Sequence, residues 1–121
     1  MKILFIEYPK CTTCQKAKKW LTDNKIEFED RHIVENNPAE NELCKWLQTT
    51  GYDIKKFFNT SGLKYKELGL KEKFPTLTFN EKLELLASDG MLVKRPILVF
   101  EDKVLLGFKE EEWEAYKEYL R

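Results

Sequence analysis

The feature that most constrains this chain is a pair of cysteines, Cys11 and Cys14, separated by two threonines and set at the junction of two hydrophobic patterns. Before the pair, Lys2 to Ile6 is short, apolar and rich in isoleucine, as a buried strand is, and Tyr8-Pro9-Lys10 interrupts it. After it, Ala17, Trp20 and Leu21 recur at spacings of three and four, which predicts a helix from Thr12 or Thr13 to Asn24, with the threonines as candidate caps. A cysteine at a helix N-terminus lies beside unpaired N–H groups and the positive end of the dipole, both of which favour the thiolate. Cys11 is therefore the expected nucleophile. Cys14, one turn along, is placed to attack a mixed disulfide or sulfenic acid formed on Cys11. Lys10, Lys16, Lys18 and Lys19 either add positive charge to the thiolate or are simply solvated.

Two plainer readings compete with thiol exchange. The cysteines could be small core residues, or half of a zinc site. Zinc would need two more ligands, and the chain offers only Cys44 and the lone His32, neither in a second close pair. Cys44 lies on the apolar stripe of a later helix and is expected to be buried and inert. His32, alternating with Ile33, is expected to face solvent. Thiol exchange is the reading that uses a C-x-x-C placed directly between a strand and a helix.

With 121 residues the chain suits one core, so residues 1–121 are read as a single domain. Lys plus Arg and Asp plus Glu are 21 each, so no global basic field points to nucleic acid or anionic lipid. No apolar run approaches the about 20 residues of a membrane span, and the first is too short for a signal peptide. Three cysteines are sparse for a secreted disulfide scaffold. A cytoplasmic monomer is expected.

The remaining pattern places elements around the cysteine loop. Glu27 to Val34 reads as a second strand at a partly exposed position. A helical insertion of about 38–89 begins with Ala39 to Thr49, whose stripe is Leu43, Trp46 and Leu47, ended by Gly51. Short segments at Ile54 to Phe58 and Tyr65 to Leu68 flank the turn cluster Asn59-Thr60-Ser61-Gly62. Asn80 is available to cap a helix bearing Leu83, Leu86 and Ala87, which stops near Asp89-Gly90. Ile97 to Phe100 and Val104 to Leu106 form a hairpin, and Glu110 to Tyr119 a final helix with Trp113 and Tyr116 inward. The order predicts an α/β fold with a mixed sheet.

Arg95-Pro96 opens the last sheet section. Proline before a strand can adopt a cis bond and leave the preceding backbone free to pair with an extended substrate. The arginine could offer its guanidinium to a thiolate, an oxyanion or a glutathione carboxylate. The plainer reading is a strand-opening proline after a surface arginine.

Several blocks together resemble the arsenate reductase-related family of thioredoxin-fold proteins, which includes the Spx and MgsR-type regulators. They are Tyr8-Pro9-Lys10-Cys11-Thr12-Thr13-Cys14, Phe57-Phe58-Asn59-Thr60-Ser61-Gly62, the stretch from Leu85 through Asp89-Gly90 to Arg95-Pro96, and Gly107-Phe108-Lys109-Glu110. The resemblance runs end to end and is nearest to the uncharacterised arsenate-reductase-like members. It implies a thioredoxin-like core of four mixed strands flanked by helices, a helical insertion, and a cis-proline at Pro96 beside the cysteine loop. In the reductases one cysteine attacks arsenate while three arginines hold the oxyanion. Cys11 and Arg95 correspond to the cysteine and one arginine, Asn59 stands where another arginine is expected, and Gly107-Phe108 offers none. Each charged contact is worth about 1.5 to 3 kcal/mol, so arsenate reduction is not expected.

The expected activity is thiol–disulfide redox chemistry at a redox-active disulfide pair. Cys11 attacks, Cys14 resolves and Arg95 assists; Thr12, Thr13, Asn59 and Pro96 are the expected substrate-binding residues. No bound cofactor or metal is expected. Glutathione or another low-molecular-weight thiol is the expected co-substrate, and the expected partner is a small thiol or protein disulfide. The alternative is an Spx-like redox-switched regulator that binds the RNA polymerase alpha subunit through the insertion, where Gly51 falls near a glycine important to that contact.

Overall fold

The structure, a computed structural model, describes residues 1–121. In chain order its elements are β1 (Ile3–Glu7), α1 (Thr12–Asp23), β2 (Glu29–His32), α2 (Glu40–Thr50), α3 (Leu63–Glu67), α4 (Leu70–Lys73), α5 (Phe79–Ser88), β3 (Ile97–Phe100), β4 (Lys103–Leu106), α6 (Glu110–Ala115) and α7 (Lys117–Leu120). They fall into two compact units, residues 1–32 with 95–121, and residues 33–94. The helical insertion expected at 38–89 lies inside the second.

The first unit is built on a four-stranded mixed sheet in the order β2-β1-β3-β4. β1 runs parallel to β2 and antiparallel to β3, and β3 and β4 form the expected hairpin. Alternation along β1 sends Ile3 and Phe5 into a core with Ala17, Trp20 and Leu21 of α1. Glu7 continues that alternation, so the face that buries Ile3 and Phe5 ends on a carboxyl group. Trp113 is wholly buried and meets the rings of Phe5, Trp20 and Phe108 edge-on, with centroids at 6.4, 5.8 and 4.8 Å. This aromatic cluster fixes α1, and with it the cysteine loop, against the sheet.

Three boundaries differ from the sequence reading. β2 covers Glu29–His32 rather than 27–34, because the register opposite β1 offers partners only from Leu4 to Glu7. Thr78, not Asn80, caps α5: its hydroxyl accepts the Glu81 N–H at 3.1 Å while the Glu81 carboxylate accepts the Thr78 N–H at 2.8 Å. The final helix is interrupted at Tyr116, giving α6 and α7.

In the second unit α2 and α5 pack on one another and bury Leu43, Trp46, Leu83 and Leu86. Gly51 ends α2 at φ +70°, the left-handed conformation that glycine adopts without a Cβ penalty. Asn37 holds the last turn of α5, its side-chain amide donating to the carbonyls of Leu86 at 3.2 Å and Ala87 at 2.8 Å. No helix is long and apolar enough to cross a membrane.

Gly90 sits where a Cβ would lie 2.1 Å from the Ile33 carbonyl oxygen, a backbone atom that cannot turn aside. Gly90→Ala is expected to destabilise the protein by about 1 to 3 kcal/mol, as overpacking of a close contact does. A lowered urea midpoint at unchanged slope will show it, whereas an unchanged midpoint will show that the two segments part without cost.

Candidate functional site

The site begins where β1 stops. The Tyr8 carbonyl accepts the Cys11 N–H at 2.9 Å and turns the chain, and the Cys11 carbonyl accepts the Gln15 N–H at 3.0 Å and starts α1. Cys11 is itself the helix N-cap, with its sulfur accepting the Cys14 N–H at 3.4 Å. The caps expected from Thr12 and Thr13 are therefore not made; both threonines are exposed in the first turn. The reactive atom occupies the position that a capping oxygen usually holds. Cys14 is fully buried, Cys11 half-buried, and all three cysteines are free thiols.

Arg95 completes the site from a distant part of the sequence. The Arg95-Pro96 bond is cis, as expected, and Pro96 is buried with its carbonyl accepting the Gly107 N–H at 2.8 Å. The guanidinium carbon lies 5.1 Å from the centre of the Tyr8 ring, and the guanidinium hydrogen-bonds the Cys11 sulfur. Its Nε and Nη1 are buried without a partner. Unpaired buried donors are costly, and two of them beside the Cys11 sulfur are suited to donate to an anion. Tyr8 is a residue of the candidate site that sequence reasoning missed. An aromatic ring before Pro9 was visible, but its pairing with Arg95 was not.

The two thiols are driven apart. Burial alone would raise Cys11, but hydrogen bonds from the Cys14 backbone and side chain, together with Arg95, hold it below the ordinary thiol value. Burial pushes Cys14 up to about 12, opposed by the Tyr8 backbone N–H and reinforced by its bond to Cys11. The surroundings thus favour the thiolate at Cys11 and the thiol at Cys14.

The lysines play a different part from the one considered above. Lys18 reaches Asp30 at 2.7 Å and Glu7 at 3.5 Å, and Lys19 reaches Asp23 at 2.7 Å. The charge that lowers Cys11 comes from Arg95 instead. His32, expected to face solvent, is half-buried with its ring edge-on to Tyr8 at 5.7 Å. Cys44 is half-buried rather than buried, because it sits at the margin of the α2 stripe beside the buried Leu43. Asn59 belongs to the second unit, where its N–H donates to the Leu92 carbonyl at 2.8 Å and its side-chain oxygen accepts from Ser61 at 3.4 Å. No three His, Cys, Asp or Glu side chains converge as a metal-ligand set.

Comparison with known proteins gives the family and the fold. A family model described as the ArsC family matches residues 6–116. The uncharacterized protein YusI of Bacillus subtilis is 53% identical over 114 residues, covering 94% of this chain and 97% of that protein. The regulatory protein MgsR of Bacillus subtilis is 37% identical over 111 residues, covering 92% of this chain and 86% of MgsR. The crystal structure of an ArsC family-related protein from Bacteroides fragilis superposes with a TM-score of 0.90 at 57% identity, over 95% of this chain and 97% of that one.

Removing the guanidinium should uncover its effect on the thiolate. Arg95→Leu is expected to move the pH midpoint of Cys11 alkylation by iodoacetamide upward and to slow alkylation at neutral pH about tenfold, the loss of one charge-assisted hydrogen bond. An unshifted midpoint would remove Arg95 from the site.

Proposed function

Because the chain belongs to the ArsC family, we propose that it is a thiol–disulfide redox protein in which Cys11 attacks, Cys14 resolves and Arg95 assists. The observation that carries this reading is the opposed surroundings of the two sulfurs: Cys11, at the start of α1, accepts the Cys14 N–H and lies by the Arg95 guanidinium, which favour its thiolate, while burial one turn away favours the thiol of Cys14. The Cys11 thiolate attacks one sulfur of a disulfide substrate, forming a mixed disulfide and releasing the other half as a thiolate. Cys14 then loses its proton and attacks the Cys11 sulfur, so that the Cys11–Cys14 disulfide forms and the second half leaves. The substrate gains two electrons and the cysteine pair loses them. Glutathione or another low-molecular-weight thiol of a reducing, cytoplasmic compartment would return the pair to the dithiol. The unpaired Arg95 donors fit a carboxylate of such a thiol. Exposed Thr12 and Thr13 and the Pro96 segment would flank it.

Cys11→Ser is expected to abolish turnover with a small disulfide, and Cys14→Ser to stop the reaction at a mixed disulfide visible by intact mass. Full turnover by Cys11→Ser would sink the assignment. Arsenate supplied with a thiol donor is expected to give no arsenite.

A second reading has an observation of its own, the 37% identity to the regulatory protein MgsR over most of the chain. On that reading the same cysteine pair switches affinity for the RNA polymerase alpha subunit. Retention of that subunit by either redox form in a pull-down would favour the regulator, and its absence from both would favour the enzyme.

A further inference from the structure

The second unit carries a basic segment that thiol exchange does not use. From residue 55 to residue 73 the chain has six lysines against two glutamates, although its charges balance overall at 21 each. Three of these lysines border one cleft of about 580 Å³, lined by Lys55, Thr60, Tyr65, Lys66, Lys71 and Glu72. Sites for small ligands occupy about 300 to 1,000 Å³. Lys55 stands on the helical turn Ile54–Phe57, Lys66 on α3 and Lys71 on α4. Between α3 and α4, Gly69 takes φ +63° and its N–H donates to the Lys66 carbonyl at 3.0 Å, so the two short helices turn beside the cleft. Lys64, also on α3, pairs with Asp89 at 3.9 Å, whereas Lys55, Lys66 and Lys71 have no carboxylate within ion-pair distance.

Exposed lysines alone make a solvated surface. What marks a site is Tyr65, which lines the same cleft although it is only 4% exposed. Its ring packs edge-on against Phe58 at 6.1 Å, and its hydroxyl has no hydrogen-bond partner. Burial, then the Glu72 charge, push the phenol up, so the hydroxyl remains a donor. Because Glu72 also lines the cleft, its action on the phenol sets the hydroxyl on the cleft side of the ring. A buried hydroxyl calls for a partner, and an anion among ammonium groups is an acceptor.

We propose that this cleft binds the phosphoryl group of a small phosphate monoester, held by Lys55, Lys66 and Lys71 with the Tyr65 hydroxyl donating to it. Three ammonium groups less one carboxylate leave the lining at a net charge of +2. A phosphate monoester carries about −1.5 to −2 at pH 7, which matches it, and a single carboxylate does not. Lysine meets phosphate as a point charge, and three ammonium groups on separate elements approach a tetrahedral head from more than one side. The cleft is larger than a phosphoryl head, so it has room for the organic group, to which Thr60 offers a second hydroxyl. The cysteine pair takes no part, so this site stands or falls apart from the thiol chemistry.

The test is titration of the isotope-labelled protein with glucose 6-phosphate, followed by amide NMR shifts, with inorganic phosphate and acetate in parallel. Saturable shifts are expected at Thr60, Tyr65, Lys66 and Lys71, with inorganic phosphate binding more weakly than the ester and acetate not saturating. Tyr65→Phe keeps the ring and removes the hydroxyl; it should weaken binding about tenfold, as loss of one hydrogen bond to a charged group does. Lys66→Gln combined with Lys71→Gln should abolish saturation. Glu72→Gln should tighten binding about two- to fivefold, because it removes an exposed charge of the ligand's own sign. Unchanged affinity in Tyr65→Phe or in Glu72→Gln overturns the proposal. So does equal affinity for acetate or inorganic phosphate, and so do shifts that gather at Cys11, Thr12 and Arg95, which would put the anion at the cysteine loop instead.

Discussion

The hydrogen bond from the Cys14 N–H to the Cys11 sulfur is the contact on which the rest of the site depends. It makes the proposed nucleophile the helix cap as well. Whatever holds α1 in place also holds the thiolate in its field of N–H donors, so stability and reactivity share a cause. The cluster of Trp20, Phe5, Phe108 and Trp113 is then more than packing. It anchors α1 at Trp20, about two turns beyond the sulfur.

The two sulfurs differ because their surroundings differ, and the sequence makes them look alike. Cys11 is at the rim, where the dipole end and a guanidinium outweigh desolvation; Cys14 is beneath, where desolvation wins. A thiol bonded to a thiolate is a stable resting state for a pair that must act in order. The surroundings of the first sulfur favour its charged form before substrate arrives. On the proposed reading, forming a covalent bond at Cys11 removes one of the causes that hold Cys14 protonated, the charge on its neighbour, while burial remains.

Much of this was legible in the sequence because it is local. The strand, loop and helix around Cys11 follow from a change of hydrophobic period within a few residues, Gly51 ends a helix as glycine does, and the β3–β4 hairpin follows from two apolar runs around a short turn. What was not legible is long-range. Glu7 reads as a charge that closes an apolar run, and nothing in the chain order says that Lys18 and Asp30 will meet it. Tyr8 and Arg95 are brought together by β1 and β3 lying side by side, a pairing that sequence spacing does not encode. Local competition also misled. Thr78 and Asn80 are both good caps, and Thr78 prevails because Glu81 stands three residues after it and closes a reciprocal box. Threonine is a good cap too, yet Cys11 takes the role because the chain turns at Pro9 and Lys10, before Thr12 is reached.

The shape of the anion subsite bears on substrate class. The Arg95 guanidinium leaves Nε and Nη1 without partners, and because these lie on different edges of its plane, each has one direction in which to donate a charge-assisted hydrogen bond to an anion. A tetrahedral oxyanion spreads its charge over oxygens that point in several directions and needs donors converging from more than one side. The other arginines of the chain are placed elsewhere, Arg31 on the edge strand β2 and Arg121 at the C-terminus, where it pairs with Glu118 at 3.2 Å. For the proposed thiol chemistry, Arg95 is already committed in part to the Cys11 sulfur, and the charge left over would suit a monoanionic carboxylate on a thiol better than a multiply charged oxyanion.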